Sequence, residues 1–335
     1  MAEAISHSKP ANIGSSDNPD FAVNSLFVGE RRIGESLSIP ITGLKAVPWI
    51  GGAFAQTDLV RAASYLREGN LWTPGSSHFT NVAISPLRNI LSLGPDRRRL
   101  WATFKHTDAP PGTPALWGHN ASEMITVVSA PNAYLIKLTE TKEPQKQGYA
   151  ETLISQAGQI MIAERMWLVT QRVIAVLLPE EALSNVWWPA KLKLSGDPRK
   201  KTLLSKALVL WLNSSLGALL LVAHRVPTRG PWISFKKPSL EEVPVLDISG
   251  LSESDLITLG TTFDQIAELK LQPLAAISRD DGRAIIDAAF ARVLGVPSLR
   301  TIAEMLGREP VITNSSIIAE VELGAEAGQE QLSLF

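Results

Sequence analysis

The segment between residues 185 and 237 is rich in side chain types that contact DNA. Arginine and lysine bind phosphates, arginine also binds guanine edges, tryptophan rings stack on bases, and asparagine can bind adenine through two hydrogen bonds. The candidates for such contacts are Asn185, Trp187, Asn213, Arg225, Arg229, Trp232, Lys236 and Lys237. For Trp187, its neighbour Trp188 and Asn213, a place in the hydrophobic core is the alternative interpretation. For the four basic residues the alternative is a solvated surface.

Two further runs of basic residues could hold the DNA backbone without reading the base sequence. They are Arg97-Arg98-Arg99 and Arg199-Lys200-Lys201. The distribution of charge fits this interpretation, because residues 31–238 contain 25 basic and 13 acidic side chains. Residues 239–335 contain 6 basic and 16 acidic ones, so the net charge of −1 conceals a basic body and an acidic remainder.

A nuclease is the second hypothesis, because two carboxylates and a lysine could hold Mg²⁺ and orient a water for phosphodiester cleavage. The candidates are Asp96, Glu140 and Lys142, and a charged turn after a strand is the competing interpretation. The chain has no cysteine, and its five histidines do not fall at the spacing of a helical metal site. Phosphate-binding GxxxxGK[ST] loops and GxSxG nucleophile motifs do not occur. We therefore expect neither a cofactor nor a metal.

The elements that position these residues are predicted from hydrophobic periodicity. Apolar residues recur at helical spacing over 147–164, β-branched residues are dense over 167–178, and 200–223 is basic at its start and apolar towards its end. Over these ranges we predict a helix, then a hairpin or two short strands, and then a long helix. A short strand over 232–235 follows. Further helices are predicted from Ser252 to about Leu271, over 281–294 and over 298–307.

Residues 164–247 contain a series of short motifs. They are Glu164-Arg165-Met166-Trp167, Thr170-Gln171-Arg172-Val173, Leu183-Ser184-Asn185-Val186-Trp187-Trp188-Pro189, Leu210-Trp211-Leu212-Asn213-Ser214-Ser215-Leu216-Gly217, Arg229-Gly230-Pro231-Trp232-Ile233-Ser234-Phe235-Lys236-Lys237-Pro238 and Val243-Pro244-Val245-Leu246-Asp247. The series resembles the C-terminal target-recognition part of adenine-specific N6 DNA methyltransferases found in restriction–modification and phage-defence systems. The resemblance covers about a quarter of the chain and implies recognition of a DNA target.

The catalytic half of that family has no counterpart in the sequence. Methylation of an adenine amino group needs a glycine-rich cofactor loop and an Asn/Asp/Ser-Pro-Pro-aromatic loop that receives the flipped base. The nearest strings, Asn18-Pro19-Asp20-Phe21 and Asp108-Ala109-Pro110-Pro111, do not fit this pattern. The resemblance therefore implies a specificity subunit, or a target-recognition fragment, that is not catalytic by itself. Its partners would be double-stranded DNA and a catalytic methyltransferase or defence subunit.

The sequence ends in Gln331-Leu332-Ser333-Leu334-Phe335, after an acidic stretch. This pentapeptide resembles the bacterial sliding-clamp-binding motif, in which the glutamine hydrogen-bonds at one pocket and the Leu-Phe end fills an apolar one. The resemblance implies that these five residues bind a partner. It makes a clamp-tethered adaptor in replication or repair the third hypothesis. The alternative is that Leu334 and Phe335 pack against their own domain.

Four regions are predicted in a chain of the α+β class. They are a flexible leader over 1–25, a DNA target-recognition-like domain over 26–247, a helical segment over 248–310 and an acidic flexible tail over 311–335. The first residues lack the cationic start and apolar run of a signal peptide. The apolar stretch 207–223 is interrupted by polar residues and is shorter than a membrane span. We therefore expect a cytoplasmic, bacterial protein.

Overall fold

The computed structural model describes residues 53–118, 123–138, 150–194, 196–227 and 232–315, and the backbone of three strands before residue 39. The strands are β1 (Pro10–Ala11), β2 (Ala22–Val28), β3 (Arg31–Ser38), β4 (Asn70–Leu71), β5 (Thr80–Asn81), β6 (Ile84–Pro86), β7 (Leu91–Leu93), β8 (Phe104–Thr107), β9 (Thr113–Leu116), β10 (Ala133–Lys137), β11 (Gly158–Ala163), β12 (Arg165–Trp167), β13 (Ala175–Ser184), β14 (Trp187–Leu192), β15 (Val226–Pro227), β16 (Trp232–Ser234) and β17 (Pro244–Leu246). The α-helices are α1 (Thr57–Arg67), α2 (Leu87–Ile90), α3 (Arg97–Thr103), α4 (Ala150–Ile154), α5 (Pro198–Asn213), α6 (Ser215–Ala223), α7 (Lys237–Glu241), α8 (Glu253–Ile266), α9 (Asp281–Leu294), α10 (Arg300–Leu306) and α11 (Pro310–Thr313). Short 3-10 helices cover Ile248–Gly250 and Leu274–Arg279.

A seven-stranded mixed sheet forms the centre of the body. Its strand order is β7-β14-β11-β13-β9-β10-β8, and neighbouring strands are antiparallel except for β13 and β9. Two further sheets are separate from it: a three-stranded sheet of order β12-β16-β15 and the two-stranded pair β17-β6. Together with the helices, this arrangement confirms the predicted α+β class.

The helix predicted over 147–164 is only partly present. α4 ends at Ile154, and the chain then enters β11, so the prediction is wrong for residues 158–163. β11 is paired on both sides and nearly all of its residues are buried, which removes the apolar–polar alternation that marks a strand. A Cβ on Gly158 would lie 2.2 Å from the Ala190 carbonyl oxygen, so only glycine permits this close approach of β14.

The strands near residue 170 also differ from the prediction. β12 ends at Trp167 and β13 begins at Ala175, so residues 168–174 of the predicted range 167–178 lie between two strands that belong to different sheets, and residues 175–178 are the start of β13. The strand predicted over 232–235 is confirmed as β16, one residue shorter.

The long helix predicted over 200–223 is in fact a pair of helices with a bend of 65° between them. α5 begins at Pro198 and ends at Asn213, and α6 begins after Ser214, whose backbone is extended with φ −73° and ψ 167°. The Ser214 hydroxyl accepts a hydrogen bond from the Gly217 amide at 3.1 Å, which caps α6. A Cβ on Gly217 would lie 2.0 Å from the Trp211 carbonyl oxygen. We call residues 213–217 the α5–α6 joint.

Within the described residues, no single helix is long and apolar enough to cross a membrane. Only α5 and α6 taken together reach that length and composition, and they do so across the bend. Their apolar side chains are buried in the hydrophobic core, where the Trp211 ring meets the Phe290 ring edge-on with centroids 5.3 Å apart.

The helices predicted after residue 250 are confirmed as α8, α9 and α10. α8 begins at the predicted cap, because the Ser252 hydroxyl accepts a hydrogen bond from the Asp255 amide at 3.1 Å, and it ends at Ile266, earlier than predicted. Apolar side chains of all three helices, such as Phe263 and Ile302, join the same core as α5 and α6. The predicted boundary near residue 247 therefore marks a change of composition and not a change of core.

Part of the segment 1–25 has regular backbone structure. β1 and the start of β2 lie in this segment, for which the composition predicts a flexible leader. β2 pairs antiparallel with both β1 and β3. The sequence of β2 (AVNSLFV) does not alternate between apolar and polar residues, so periodicity gives no signal for this strand.

Candidate nucleic-acid interface

The end of β7 is held in place by the start of α7. The Lys237 ammonium donates hydrogen bonds to the carbonyl oxygens of Leu93 and Gly94, at 2.7 and 3.2 Å. The Gly94 amide in turn donates to the Pro189 carbonyl at 2.7 Å, which joins the same point to β14. These bonds determine where the chain leaves the sheet before α3. Lys237, a sequence-based candidate for DNA contact, therefore has a positioning role within the fold.

α3 carries the basic run that follows this point. The Asp96 carboxylate caps the helix by accepting hydrogen bonds from the amides of Arg98 and Arg99, at 2.8 and 3.3 Å. Leu100 is fully buried, whereas the next residue, Trp101, is 53% exposed. The Arg97 guanidinium lies 5.7 Å from the centre of the Trp101 ring, one turn away along the helix. The helix thus presents an arginine and an indole together at the surface.

A second arginine–tryptophan pair comes from β12 and β16. These strands are antiparallel, with Arg165 opposite Ser234 and Trp167 opposite Trp232. The Arg165 guanidinium lies 5.8 Å from the centre of the Trp232 ring, and Trp232 is 40% exposed. The Trp167 ring supports Trp232 from the side, with centroids 6.2 Å apart.

Glu164 is linked to both pairs, because it precedes Arg165 in the sequence and is within electrostatic reach of Arg97. It connects β11 to β12, its carbonyl accepts a hydrogen bond from the Phe235 amide at 2.8 Å, and its carboxylate is half-buried. Burial raises the pKa of Glu164, whereas the charges of Arg97 and Arg165 lower it. Both arginines are therefore within electrostatic reach of this carboxylate. We call the surface formed by Arg97, Trp101, Glu164, Arg165, Trp232 and the exposed Lys236 the Arg–Trp face.

The cations of the Arg–Trp face are available to a ligand. Among the described residues, no carboxylate forms an ion pair with Arg97, Arg165 or Lys236. Charged guanidinium groups in such positions bind phosphate oxygens or the edge of guanine, and half-exposed indoles can stack on or wedge between bases. The arrangement therefore has the chemistry of a nucleic-acid interface.

Three of the sequence-based candidates lie in the interior instead. Asn213 is fully buried: its side chain oxygen accepts from the Ile174 amide at 2.8 Å, and its amide group donates to the carbonyls of Ala175 and Val209, at 2.7 and 2.9 Å. Trp187 is 2% exposed. Asn185 is 8% exposed, and its oxygen accepts from the Gly118 amide at 2.8 Å. All three stabilise the fold in these positions, so the Arg–Trp face does not include them.

Arg225 also serves the fold. Its guanidinium donates hydrogen bonds to the carbonyl oxygens of Ala53 and Val222, at 2.6 and 2.8 Å. Burial lowers its pKa, and the charge of Glu309 acts in the opposite direction. The side chain ties the end of α6 to the residues before α1 and is not directed at a ligand.

The second basic run is separate from the Arg–Trp face. Lys200 and Lys201 are exposed on the first turn of α5. β7 is antiparallel to β14, with Leu93 opposite Ala190 and Leu91 opposite Leu192. The Arg–Trp face therefore lies near the beginning of β14, whereas α5 follows its other end. Arg98 and Arg99, by contrast, are exposed on α3 itself, beside the face.

Some predicted residues lie outside the described part of the chain. They are Arg229, Glu140, Lys142 and the five partner-binding residues Gln331, Leu332, Ser333, Leu334 and Phe335. For the nuclease hypothesis only Asp96 is described, and its carboxylate acts as the cap of α3. No group of three or more metal-binding side chains occurs among the described residues.

Glu164, Arg165 and Trp101 were not predicted as contact residues. Arg165 and Glu164 belong to a motif that carries the family resemblance, but nothing in that motif indicates that they face α3. Trp101 could have been found from the sequence, because it follows Arg97 at the i,i+4 spacing that places two side chains on one face of a helix.

The molecule is thus an α+β protein with a half-exposed surface of arginine and tryptophan. No family model matches its sequence, and no curated protein matches it either. Among solved structures, it is similar to the type IIG restriction endonuclease BpuSI, with a TM-score of 0.38 and 12% sequence identity. The alignment covers 64% of this chain and 30% of that enzyme, so the chain spans less than a third of the enzyme's length.

Proposed function

We propose that this chain is the DNA-binding specificity component of an adenine N6 DNA methyltransferase, within a restriction–modification or phage-defence complex. It binds double-stranded DNA through the Arg–Trp face and is not catalytic by itself. A separate catalytic methyltransferase or defence subunit supplies the chemistry. The observation that carries the proposal is the Arg–Trp face, in which Arg97 and Arg165 lie beside the half-exposed rings of Trp101 and Trp232.

The electrostatics of the chain support this assignment. Binding of a polyanion requires cations that are not already paired within the protein, and Arg97 and Arg165 meet that condition among the described residues. Arg98, Arg99 and Lys236 extend the positive charge to either side. Lys200 and Lys201 form a second, separate contact to the DNA backbone in this proposal, because α5 follows the end of β14 that is away from the Arg–Trp face.

The motifs that carry the family resemblance support the same function in a different way. They build the frame of the face: β12 and β16 come from two of these motifs, and a third provides the α5–α6 joint. The Mg²⁺-nuclease alternative gains no such support, since Asp96 acts as the cap of α3, with its Oδ1 atom accepting from two amides, and no group of three metal-binding side chains occurs among the described residues.

Removal of both face arginines tests the proposal. For Arg97→Gln/Arg165→Gln we expect affinity for duplex DNA to fall roughly 10- to 100-fold at 150 mM salt, a concentration of roughly physiological strength. The slope of log affinity against log salt should fall by about 2 units, because two phosphate contacts are lost. Fluorescence anisotropy with labelled duplexes at several salt concentrations measures both quantities.

The matched control is Arg292→Gln/Arg308→Gln, which removes the same charge from exposed residues of the helical segment. Its affinity and salt slope should stay within twofold of the parent. Equal losses in both double variants would show that only net charge matters, and this would contradict binding by the Arg–Trp face.

We also propose a second partner, the bacterial sliding clamp, on the basis of the Gln331–Phe335 sequence alone. A clamp threaded on DNA would raise the local concentration of the protein near its target. Deletion of residues 331–335 should abolish binding to purified clamp while leaving binding to DNA unchanged. Clamp affinity that survives the deletion would exclude this partner.

A further inference from the structure

We propose that Glu164 is a specificity-determining residue of the Arg–Trp face, where its carboxylate accepts a hydrogen bond from the N4 amino group of a cytosine in the major groove. This inference rests on the proposed DNA-binding function and specifies which base the face selects.

The backbone around Glu164 is held on both sides. Its amide donates to the Val186 carbonyl at 3.4 Å and its carbonyl accepts from the Phe235 amide at 2.8 Å, so residues beside β14 and β16 hold it in place. The next residue, Arg165, is paired with Ser234 in the β12–β16 ladder. A side chain that reads a base must start from such a rigid position, because small shifts in register would place it opposite a different base pair.

The carboxylate itself has no hydrogen-bond donor among the described residues. It is half-buried, and the charges of Arg97, Arg165 and Asp96 act on it. Its oxygens are not among the buried atoms that lack a hydrogen-bond partner, so they are open to a donor from outside the protein. An amino group on a bound base would satisfy the carboxylate, and the two flanking arginines would hold the phosphates on either side.

Cytosine fits an ionised carboxylate better than the other bases do. A carboxylate can only accept hydrogen bonds, and the cytosine N4 amino group is a donor in the major groove. Adenine also presents a donor there, but its N7 acceptor lies beside it and would repel a second carboxylate oxygen. Guanine and thymine present acceptors at the corresponding positions, so they are disfavoured.

The negative charge of Glu164 also favours a role in selecting a base over a role in general DNA binding. A negative group in a phosphate-binding surface lowers affinity for DNA in general, and its benefit appears only when one register places an amino group opposite it. Glu164 should therefore reduce non-specific binding and favour one base at one position.

Selection from a library of randomised duplexes with the full chain tests this inference. The parent should recover a motif with cytosine at one position. Glu164→Gln should lose that preference by about tenfold and favour adenine there, because a glutamine amide can bind adenine N6 and N7 together. Glu164→Ala should show no preference at that position. Both variants should bind random DNA as tightly as the parent or a few-fold more tightly. Glu180→Gln, an exposed carboxylate on β13, is the matched control and should recover the parent motif.

The outcomes separate the two proposals. If Glu164→Gln and Glu164→Ala recover the parent motif unchanged, Glu164 does not select a base, although DNA binding by the face stands. If preference is lost at every position and thermal stability falls with it, Glu164 only supports the surface, and the inference fails. If the parent does not bind duplex DNA at any salt concentration, both the proposed function and this inference fail.

Discussion

The α5–α6 joint and the Arg–Trp face differ in whether the residues that carry the family resemblance are buried or exposed. The joint is part of the motif Leu210-Trp211-Leu212-Asn213-Ser214-Ser215-Leu216-Gly217. This motif is one of those that resemble methyltransferase recognition regions, yet its side chains are buried. Asn213 bonds to backbone groups, and Ser215 donates from its amide and hydroxyl to Asp287, at 2.9 and 2.5 Å. The side chains of Asn213, Ser214 and Ser215 therefore all form hydrogen bonds within the protein.

The Arg–Trp face has the opposite character. Its arginines lack ion-pair partners among the described residues, its two outer indoles are 53% and 40% exposed, and Trp101 belongs to none of the motifs that carry the resemblance. The motif of the joint thus contributes to the interior, whereas the face combines motif residues, such as Arg165 and Trp232, with Arg97 and Trp101, which lie outside the motifs. Under the proposed function, contact with DNA falls to the face. Substitutions in the two regions should therefore separate stability from binding.

The largest effect is expected for Asn213→Ala in the joint. The substitution leaves the Ile174 amide and the Ala175 carbonyl without their buried partner. We expect the free energy of unfolding to fall by about 4 kcal/mol, because each unsatisfied buried group costs about 1–3 kcal/mol. Urea denaturation followed by circular dichroism measures this change.

The control for this prediction is Asn81→Ala, at an exposed position of β5, which should change stability by less than about 0.5 kcal/mol. DNA affinity of the folded Asn213→Ala fraction should equal that of the parent. A stable Asn213→Ala protein with weakened DNA binding would return Asn213 to the interface and would remove the contrast between the two regions.

The fold could be predicted where the signals are local. α8 and α9 follow from the Ser252 cap and from a regular apolar repeat, and both were found within a few residues. The error over 158–163 has a non-local cause: β11 is a strand because β13 and β14 lie on either side of it, and its continuous burial imitates one face of a helix. The 65° bend at Ser214 is likewise a product of packing, although Ser214 and Gly217 are residues that permit it.

The sequence predicts the chemistry of the candidate site, but it predicts only some of the residues that form it. Basic and aromatic residues indicated DNA, and Trp232, Lys236 and the run from Arg97 to Arg99 lie on or beside the face. Arg165 and Glu164 could not be placed there, because the electrostatic interaction of Glu164 with Arg97 joins residues far apart in the sequence. Lys237 has the right charge, but only the structure shows that Leu93 and Gly94 occupy its ammonium group.

The second prediction concerns His224, at the end of α6. Burial lowers its pKa from 6.5 to about 4, while the hydrogen bond between its Nδ1 atom and the Leu220 carbonyl, at 2.8 Å, acts in the opposite direction. The folded protein therefore keeps this imidazole neutral, whereas the unfolded chain binds a proton below pH 6.5. Its stabilising contribution is complete above pH 6.5 and is lost as the pH falls towards 4, by about 3 kcal/mol in total.

Comparison of His224→Gln with the parent isolates this contribution. Glutamine can donate to Leu220 and does not titrate, so the variant should lose less stability between pH 6.5 and 4 than the parent does. Asp287 works against His224, since burial raises its pKa to about 6 and its contribution is lost as the pH rises through that value. It is present in both proteins and cancels in the difference. His78→Gln, at an exposed position, should follow the parent at every pH, and a parallel loss in His224→Gln would show that His224 is not the titrating group.

The smallest effect on stability and the most direct test of the face is expected for Trp101→Ala. The indole is 53% exposed, so its removal should change the free energy of unfolding by less than about 0.5 kcal/mol. If the ring stacks on or wedges between bases, affinity for duplex DNA should fall by roughly tenfold, which corresponds to about 1.4 kcal/mol. Trp101→Phe should recover part of this loss, because a smaller aromatic ring keeps a stacking surface.

The dependence of affinity on salt should stay the same in both Trp101 variants, since an indole releases no counterions. This separates them from the arginine variants, for which the slope falls. A normal affinity in Trp101→Ala would leave the face as a purely electrostatic surface and would weaken its contrast with the exposed lysines at the start of α5.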